Sequence, residues 1–259
     1  MNPALSVTPM SLVVAFSLVL IAMAIAHKEK LGLNKEIAVA TVRMLIQLTV
    51  VGFLLTYVFQ LDADWVTGII MVLMAVNAAW NASKRAQGLP QAFKISILSL
   101  FLGVFTALAV LLVSGSLQFI PQQMIPITGM LVGNAMNIIG LSFRNLRSGF
   151  QAQAQQVQER IALGANPKQA SFEIIRQAIK GSLQPTIDST KMVGLVTLPG
   201  MMTGMMFAGA VPTTAVMYQI MIYFMIMATA SITATAAIYQ AYRAFFDGEG
   251  RLNRQSLED

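Results

Sequence analysis

The chain has 259 residues, of which 56% are hydrophobic and 11% charged, with a mean hydropathy of +0.67. A soluble domain carries about 25% charged residues, so most of a water-facing surface is missing and the chain reads as an integral membrane protein. The net charge of +6 does not make it a nucleic-acid binder, because the bases are scattered between apolar stretches instead of clustered on one face.

A bilayer core about 30 Å thick is crossed by roughly 20 apolar residues in helical form. Seven apolar runs of that order follow one another, at about 7–26, 37–59, 65–83, 95–119, 125–143, 192–211 and 214–239. The first lacks an early basic region and a small-residue cleavage site, so it reads as a permanent span and not a cleaved signal. Sixteen of the seventeen Lys and Arg fall in the connections after spans 1, 3, 5 and 7, whereas Asp62 and Asp64 lie on the opposite side. Bases stay cytoplasmic, which predicts an external N-terminus, a cytoplasmic C-terminus and a multi-pass protein of the cell inner or plasma membrane. The expected fold class is all-α: one membrane domain over 1–259 with seven transmembrane helices, and a cytoplasmic helix-turn-helix over 144–191. Pro121 and Pro126 lie in the apolar linker between spans 4 and 5, and leave open a re-entrant segment over 114–126.

Polar groups at membrane depth are functional candidates. Arg43 lies about seven residues into span 2, on the order of 10 Å deep at 1.5 Å per residue. That depth allows snorkelling to the headgroups or a place on an internal cavity, and Gln47 is one turn further on the same face. Asn77 and Asn81 on span 3, and Asn134 and Asn137 on span 5, are four and three residues apart, so each pair shares a helix face. Such amides either join neighbouring helices or touch a substrate.

The one long polar stretch runs from Arg144 to Lys191. Gln151 to Leu163 predicts a helix with Val157, Ile161 and Leu163 on one side, closed by Gly164 as a left-handed cap. Asn166 then serves as an N-cap, with Pro167 at the first position of a second helix. Phe172, Ile175 and Ile179 give that helix an apolar stripe. From periodicity alone, this knob either packs on its own membrane domain or meets a partner.

Pro199-Gly200 falls near the middle of span 6, between Thr197 and Thr203. A helix broken at the midplane must line a cavity or be covered by protein, and transporters bind substrate at such breaks. The competing reading is close packing through two GxxxG pairs, Gly200 with Gly204 and Gly129 with Gly133. Met201, Met202, Met205 and Met206 cluster beside the break. Thioethers suit soft ions but are also ordinary core filler. Gln219 on span 7 precedes Thr229, Ser231, Thr233 and Thr235. No Asp or Glu lies within any expected span, so a hard cation would meet amide, hydroxyl and backbone oxygens, or travel as a complex.

Several classes drop out. There is no Cys and only His27, which removes thiolate sites, HExxH zinc chemistry and a Ser-His-Asp triad. No GxxxxGK[ST] loop is present, so energy comes from a partner or a gradient. The last span has no Lys for a retinal Schiff base, and no intramembrane Asp, Glu or His for a proton relay. A seven-span receptor or sensor, or a permease for a non-metal substrate, stays open.

Gln158 to Pro167 (QERIALGANP) resembles the EAA-type coupling loop of ABC-transporter permeases. Gln158 stands in place of the first Glu, and Arg176-Gln177 in place of a later Leu-Pro. Leu195 to Gly204 (LVTLPGMMTG), with Ala208-Gly209-Ala210 and Tyr218-Gln219-Ile220, is similar to the signature of the FetB-type permease family. These are seven-span proteins implicated in iron export with a separate ATPase and related to plant aluminium-tolerance permeases. The chain departs from that pattern at Met205 and Val211, where many members carry Gln and an acid. The resemblance implies a non-catalytic permease subunit without a cofactor of its own, ATP and Mg being held by an ABC ATPase partner. That partner would grip Gln158, Glu159, Arg160, Leu163, Gly164, Ala165, Asn166 and Pro167. A permease homodimer in the lipid bilayer and a metal-ion substrate are further implications.

Overall fold

The structure is a computed structural model and describes residues 8–61, 63–86 and 89–253. Asp62 and Arg254 lie outside the described residues. The helices are α1 Pro9–Lys28, α2 Asn34–Leu61, α3 Asp64–Ser83, α4 Ala92–Val113, α5 Pro121–Ala152, α6 Ala154–Ala162, α7 Pro167–Ala170, α8 Phe172–Met192, α9 Gly200–Phe207 and α10 Pro212–Ala241. Single 3-10 turns at Lys84–Ala86 and Tyr242–Phe245 extend α3 and α10. Extended pairing among the described residues is limited to the isolated bridges Val193↔Thr197 and Phe246↔Leu252.

The chain divides into two compact units, residues 1–62 and 63–259. In the first, α1 and α2 form a hairpin whose turn uses Lys30 and Gly32 in the left-handed region. Thr8 starts α1 by accepting a hydrogen bond from the Ser11 N–H at 3.3 Å. Most side chains of α2 are exposed, Val58 being its one buried residue. An apolar helix with so little protein around it is suited to lipid or to another chain.

In the second unit α5 is the axis, with α3, α4, α8 and α10 packed around it. Its buried face runs from Pro121 to Phe150. Directions follow from the contacts. α3 lies parallel to α5, pairing Met74 with Gly129 and Arg85 with Gly140. α10 is also parallel to α5: Ala230 and Ala234 cluster with Ile138, and Phe245 stacks on Phe150. α4 runs the other way, with Gln240 of α10 reaching Ser99 and Thr229 reaching the Gly103 carbonyl. α8 is antiparallel to α5, since Ile174 meets Gly149 and Ser182 meets Asn145.

Six helices among the described residues, α1 to α5 and α10, are long and apolar enough to cross a membrane, against seven expected spans. The expected sixth span, 192–211, holds no helix of membrane length. It consists of the end of α8, a loop over 193–199 and the eight-residue α9. Gly194 at φ 84° and the extended Pro199 break the helix, because neither conformation continues an α-helical turn. Yet α5 and α10 are parallel, so the chain must return along the bundle between 152 and 212. It does so in pieces, as α8, the loop and α9.

Two other boundaries differ. α4 stops at Val113 with Gly115 at φ 70°, and α5 begins at Pro121, where a missing N–H costs no helical bond. Residues 114–120 are therefore a short connection, closed by the Gln118 N–H donating to Gln123 Oε1 at 3.1 Å, and not a re-entrant helix. α5 accommodates Pro126 near its start and continues to Ala152, well beyond the expected end at 143.

Candidate functional site

Three features of the second unit bear on function: a polar cavity, an apolar groove and the knob. The polar cavity, about 280 Å³, lies between α5, α8 and α10 and is lined by Asn134, Asn137, Ser182, Thr186, Ser189 and Tyr223. Its walls are held by their own hydrogen bonds. Asn137 Oδ1 accepts from Arg85 Nη1 at 3.0 Å, Asn145 Nδ2 donates to Ser182 Oγ at 3.3 Å, and Ser182 Oγ donates to the Ala178 carbonyl at 2.7 Å. Pro185 also borders the cavity inside α8; lacking an N–H, it leaves the Gly181 carbonyl without its helical donor. Its polar lining is made of neutral oxygens and amides, with Ile138, Leu141 and Ile226 completing the wall and the Arg85 guanidinium bonded to Asn137.

The apolar groove, about 630 Å³, is bounded by the end of α8, the 193–199 loop, α9 and α10. Leu198, Pro199, Met202, Val216, Ile220 and Phe224 supply most of its wall, and Gln219 is set among them. Gln219 is 6% exposed and its Oε1 has no hydrogen-bond partner. Tyr223 belongs to both the groove and the polar cavity, so the two spaces share a wall.

The knob folds as its local sequence dictates. α6 ends at Ala162 and the chain turns at Gly164, with φ 94°, whose N–H donates to the Ile161 carbonyl at 2.9 Å. Asn166 and Gln169 form a reciprocal capping box. The Gln169 N–H donates to Asn166 Oδ1 at 2.9 Å, and the Asn166 N–H to Gln169 Oε1 at 3.1 Å. Val157 and Ala170 are fully buried in the main core, and Arg160 Nη1 donates to the Ala170 carbonyl at 3.1 Å. Leu163 at the tip is 88% exposed. The helix that follows buries Ile175 of the expected stripe and packs Ile179 against the core, while Phe172 is 53% exposed; Ile174, Ala178, Ser182 and Thr186 complete the buried face.

A hook at the end of α10 ties the knob to the bundle. Phe245 stacks on Phe150 at 4.5 Å and Phe246 meets the same ring edge-on at 5.7 Å. Leu252 turns back to pair with Phe246, and Lys168 of α7 sits 5.6 Å over the Tyr239 ring. One helix thus reaches from the groove to the knob.

The remaining candidates lie elsewhere. Asn81 Nδ2 donates to Asn77 Oδ1 at 2.6 Å and to the Asn77 carbonyl at 2.8 Å, so that pair is self-satisfied and lines neither space. Arg43 and Gln47 share a depression of about 470 Å³ on α2 with Glu36, Val39 and Met44, within the first unit. Thr197 pairs with Val193 in the loop, and Thr203 Oγ1 donates to the Gly200 carbonyl at 2.9 Å. Thr197, Gly200 and Thr203 border the groove region without lining it. Of the four clustered Met, Met202 alone lines the groove, joined by Met227 from α10. Asp188, which precedes the expected sixth span, lines neither space and is half exposed. It is in the last turns of α8 beside the cavity residue Ser189, where it accepts from Gln184 Nε2 at 2.9 and 3.0 Å, with Lys191 Nζ at 3.4 Å. Among the described residues no three His, Cys, Asp or Glu side chains gather into a metal site.

The profile of the uncharacterised protein family UPF0014 matches residues 9–246. The chain belongs to UPF0014. It is 46% identical over 247 residues to the probable iron export permease protein FetB of Escherichia coli (strain K12), covering 95% of both chains. It is 35% identical over 242 residues to the UPF0014 membrane protein STAR2 of Oryza sativa subsp. japonica, covering 93% of this chain and 85% of that one. The protein ALUMINUM SENSITIVE 3 of Arabidopsis thaliana is 35% identical over 233 residues, with 90% and 85% covered. No solved structure matches the chain. With its apolar helices, this UPF0014 member is a multi-pass membrane protein of the permease type.

Sequence reasoning found the two Asn of the polar cavity and Gln219 of the groove. It missed Ser182, Thr186 and Ser189, which recur at four and three residues and so share a face, because candidates were sought only within the apolar runs. It also missed Arg85 and Tyr223, whose roles depend on contacts across the bundle.

Proposed function

We propose that this UPF0014 protein is the membrane permease subunit of an ABC-type exporter whose cargo is iron or another metal ion. The observation that carries the reading is its 46% identity, over 95% of both chains, to a probable iron export permease. ATP and Mg belong to a separate ATPase, which docks on the knob around Gln158 to Pro167. The exposed Leu163 tip and the rigid cap behind it support that docking. Two permease copies and two ATPases form the working unit, with a two-fold interface between the copies. The N-terminus is outside and the knob and C-terminus are cytoplasmic, α8, the loop and α9 together making the sixth of seven passes. ATPase closure pushes the knob; the hook at Phe245 and Phe246 passes that motion to α10, whose Gln219 and Tyr223 face the groove and cavity.

The test is co-expression with the ATPase. Replacing 159–166 with a flexible Gly-Ser linker is expected to abolish ATPase co-purification while the chain still inserts in the membrane. Retention of the ATPase would refute the docking site. In vesicles holding both subunits, Fe, Al, Cu and Mn are compared with an organic control for stimulation of ATP hydrolysis, and a response to the organic control alone would refute the metal cargo.

A further inference from the structure

The side chains of Asn134, Thr186, Ser189 and Tyr223 converge on the polar cavity, and none has a hydrogen-bond partner among the described residues. Thr186 decides what this means. It is 8% exposed, yet its Oγ1 is not sealed; the hydroxyls that lack both partner and solvent are those of Thr67, Ser96, Thr128, Ser142 and Thr233. A hydroxyl so buried keeps its access through the cavity that it lines, and is therefore aimed at whatever fills that space. Asn137 is not part of this set, because Arg85 occupies its Oδ1, and Ser182 is taken by Ala178 and Asn145. No charged side chain is in the lining, and Asp188, next to Ser189, is held by Gln184 and Lys191 instead. A small hard divalent ion gives up its octahedral water shell reluctantly, and then to carboxylates or phosphates; this lining supplies neither. It does offer neutral oxygens to the hydrogens of metal-bound water, and bonds through such waters are nearly as favourable as direct ones. At about 280 Å³ and roughly 30 Å³ per water, the space takes about nine water volumes, enough for an ion with its first shell.

We propose that the polar cavity holds the divalent cargo metal with its water shell intact, Asn134 Oδ1, Thr186 Oγ1, Ser189 Oγ and Tyr223 Oη accepting hydrogen bonds from metal-bound water. The inference rests on the metal-export reading and names the form in which the metal crosses. The Arg85 guanidinium on Asn137 opposes the charge of the ion and keeps the site weak; a transport site must release what it binds.

The experiment uses the full chain in nanodiscs of zwitterionic lipid with two probes. One is Mn(II), whose bound waters are counted by electron–nuclear double resonance; the other is hexaamminecobalt(III), which exchanges no ligand and binds only through its ammine hydrogens. Mn(II) is expected to bind with its water shell undiminished and to be displaced by hexaamminecobalt(III). Thr186→Val, which removes the hydroxyl at nearly constant shape, should weaken both roughly tenfold, the scale of one hydrogen bond to a charged group. Thr186→Ser should restore them, and Arg85→Gln, which removes the opposing charge, should tighten them. Mn(II) that loses water on binding, or that hexaamminecobalt(III) does not displace, would overturn the intact shell. Equal affinities in wild type, Thr186→Val and Arg85→Gln would put the ion elsewhere and overturn the site. ATP hydrolysis in vesicles holding both subunits separates this inference from the reading beneath it. Stimulation by Fe that is unchanged in Thr186→Val sinks the cavity's role and keeps metal export, whereas binding of both probes without stimulation by any metal sinks metal export and upholds a cation site.

Discussion

The glycines of α4 and α9 look alike in sequence and do opposite things in the structure. A methyl placed on Gly103 of α4 would fall on Thr233 Oγ1 and 3.0 Å from the Thr229 carbonyl oxygen of α10. On Gly200 or Gly204 of α9 the same methyl would meet nothing within 4 Å. The first position lets two helices approach closely; the second pair, despite its GxxxG spacing, packs on nothing in its own unit. Gly133 is equally open, and Gly129 meets only the flexible end of Met74. The packing explanation therefore has no support inside the unit for Gly200 and Gly204, whereas Gly129 gives room to Met74 of α3, and the second unit separates into a packed frame of α3, α4, α5, α8 and α10 and a loosely held α9.

The sharpest way to break that contrast is Gly103→Val. Two branched methyls cannot be relieved by a flexible neighbour, since one obstacle is backbone. Overpacking typically costs about 1–3 kcal/mol, and this site is expected near the upper end, read as lost stability in mixed-micelle unfolding and lower yield of folded chain. If Gly103→Val were as stable as wild type, α4 and α10 would not be the rigid pair described.

A smaller effect is expected at the knob, which the frame holds through buried Val157 and Ala170. Asn166→Ala removes one half of the capping box, and loss of such a cap costs about 1 kcal/mol. Stability should fall by that amount, while affinity for the ATPase falls further because the Leu163 tip loses its fixed angle. Equal losses would mean that the knob's geometry is not what the partner recognises.

The knob was legible in sequence because its determinants are local. Gly164, Asn166 and Pro167 each act within a few residues, and the structure places the turn and cap where their chemistry requires. The return pass was illegible for the opposite reason. Hydropathy averages a segment without knowing its neighbours, so Arg176, Lys180, Asp188 and Lys191 mark α8 as polar without revealing the face that packs along α5. The same charges hid Ser182 and Thr186, while the apolar run that follows them gave no sign of the helix break over 193–199. Asn134 and Asn137 were found because they share one helix face; their partners on α8 are set by tertiary contact alone.

The smallest expected change in stability is the most informative about mechanism. Gly204→Ala adds a methyl to open space within α9 and removes backbone freedom from the unfolded chain, so stability should hold or rise by about 0.5–1 kcal/mol. Transport should nevertheless fall if α9 rearranges as the groove opens and closes, because a stiffer helix resists that motion. Vesicle export measured beside unfolding stability separates the two readings. A variant more stable and fully active would make α9 a passive wall of the groove; one more stable and slower would make α9 the moving part, with the frame around α5 as its fixed support.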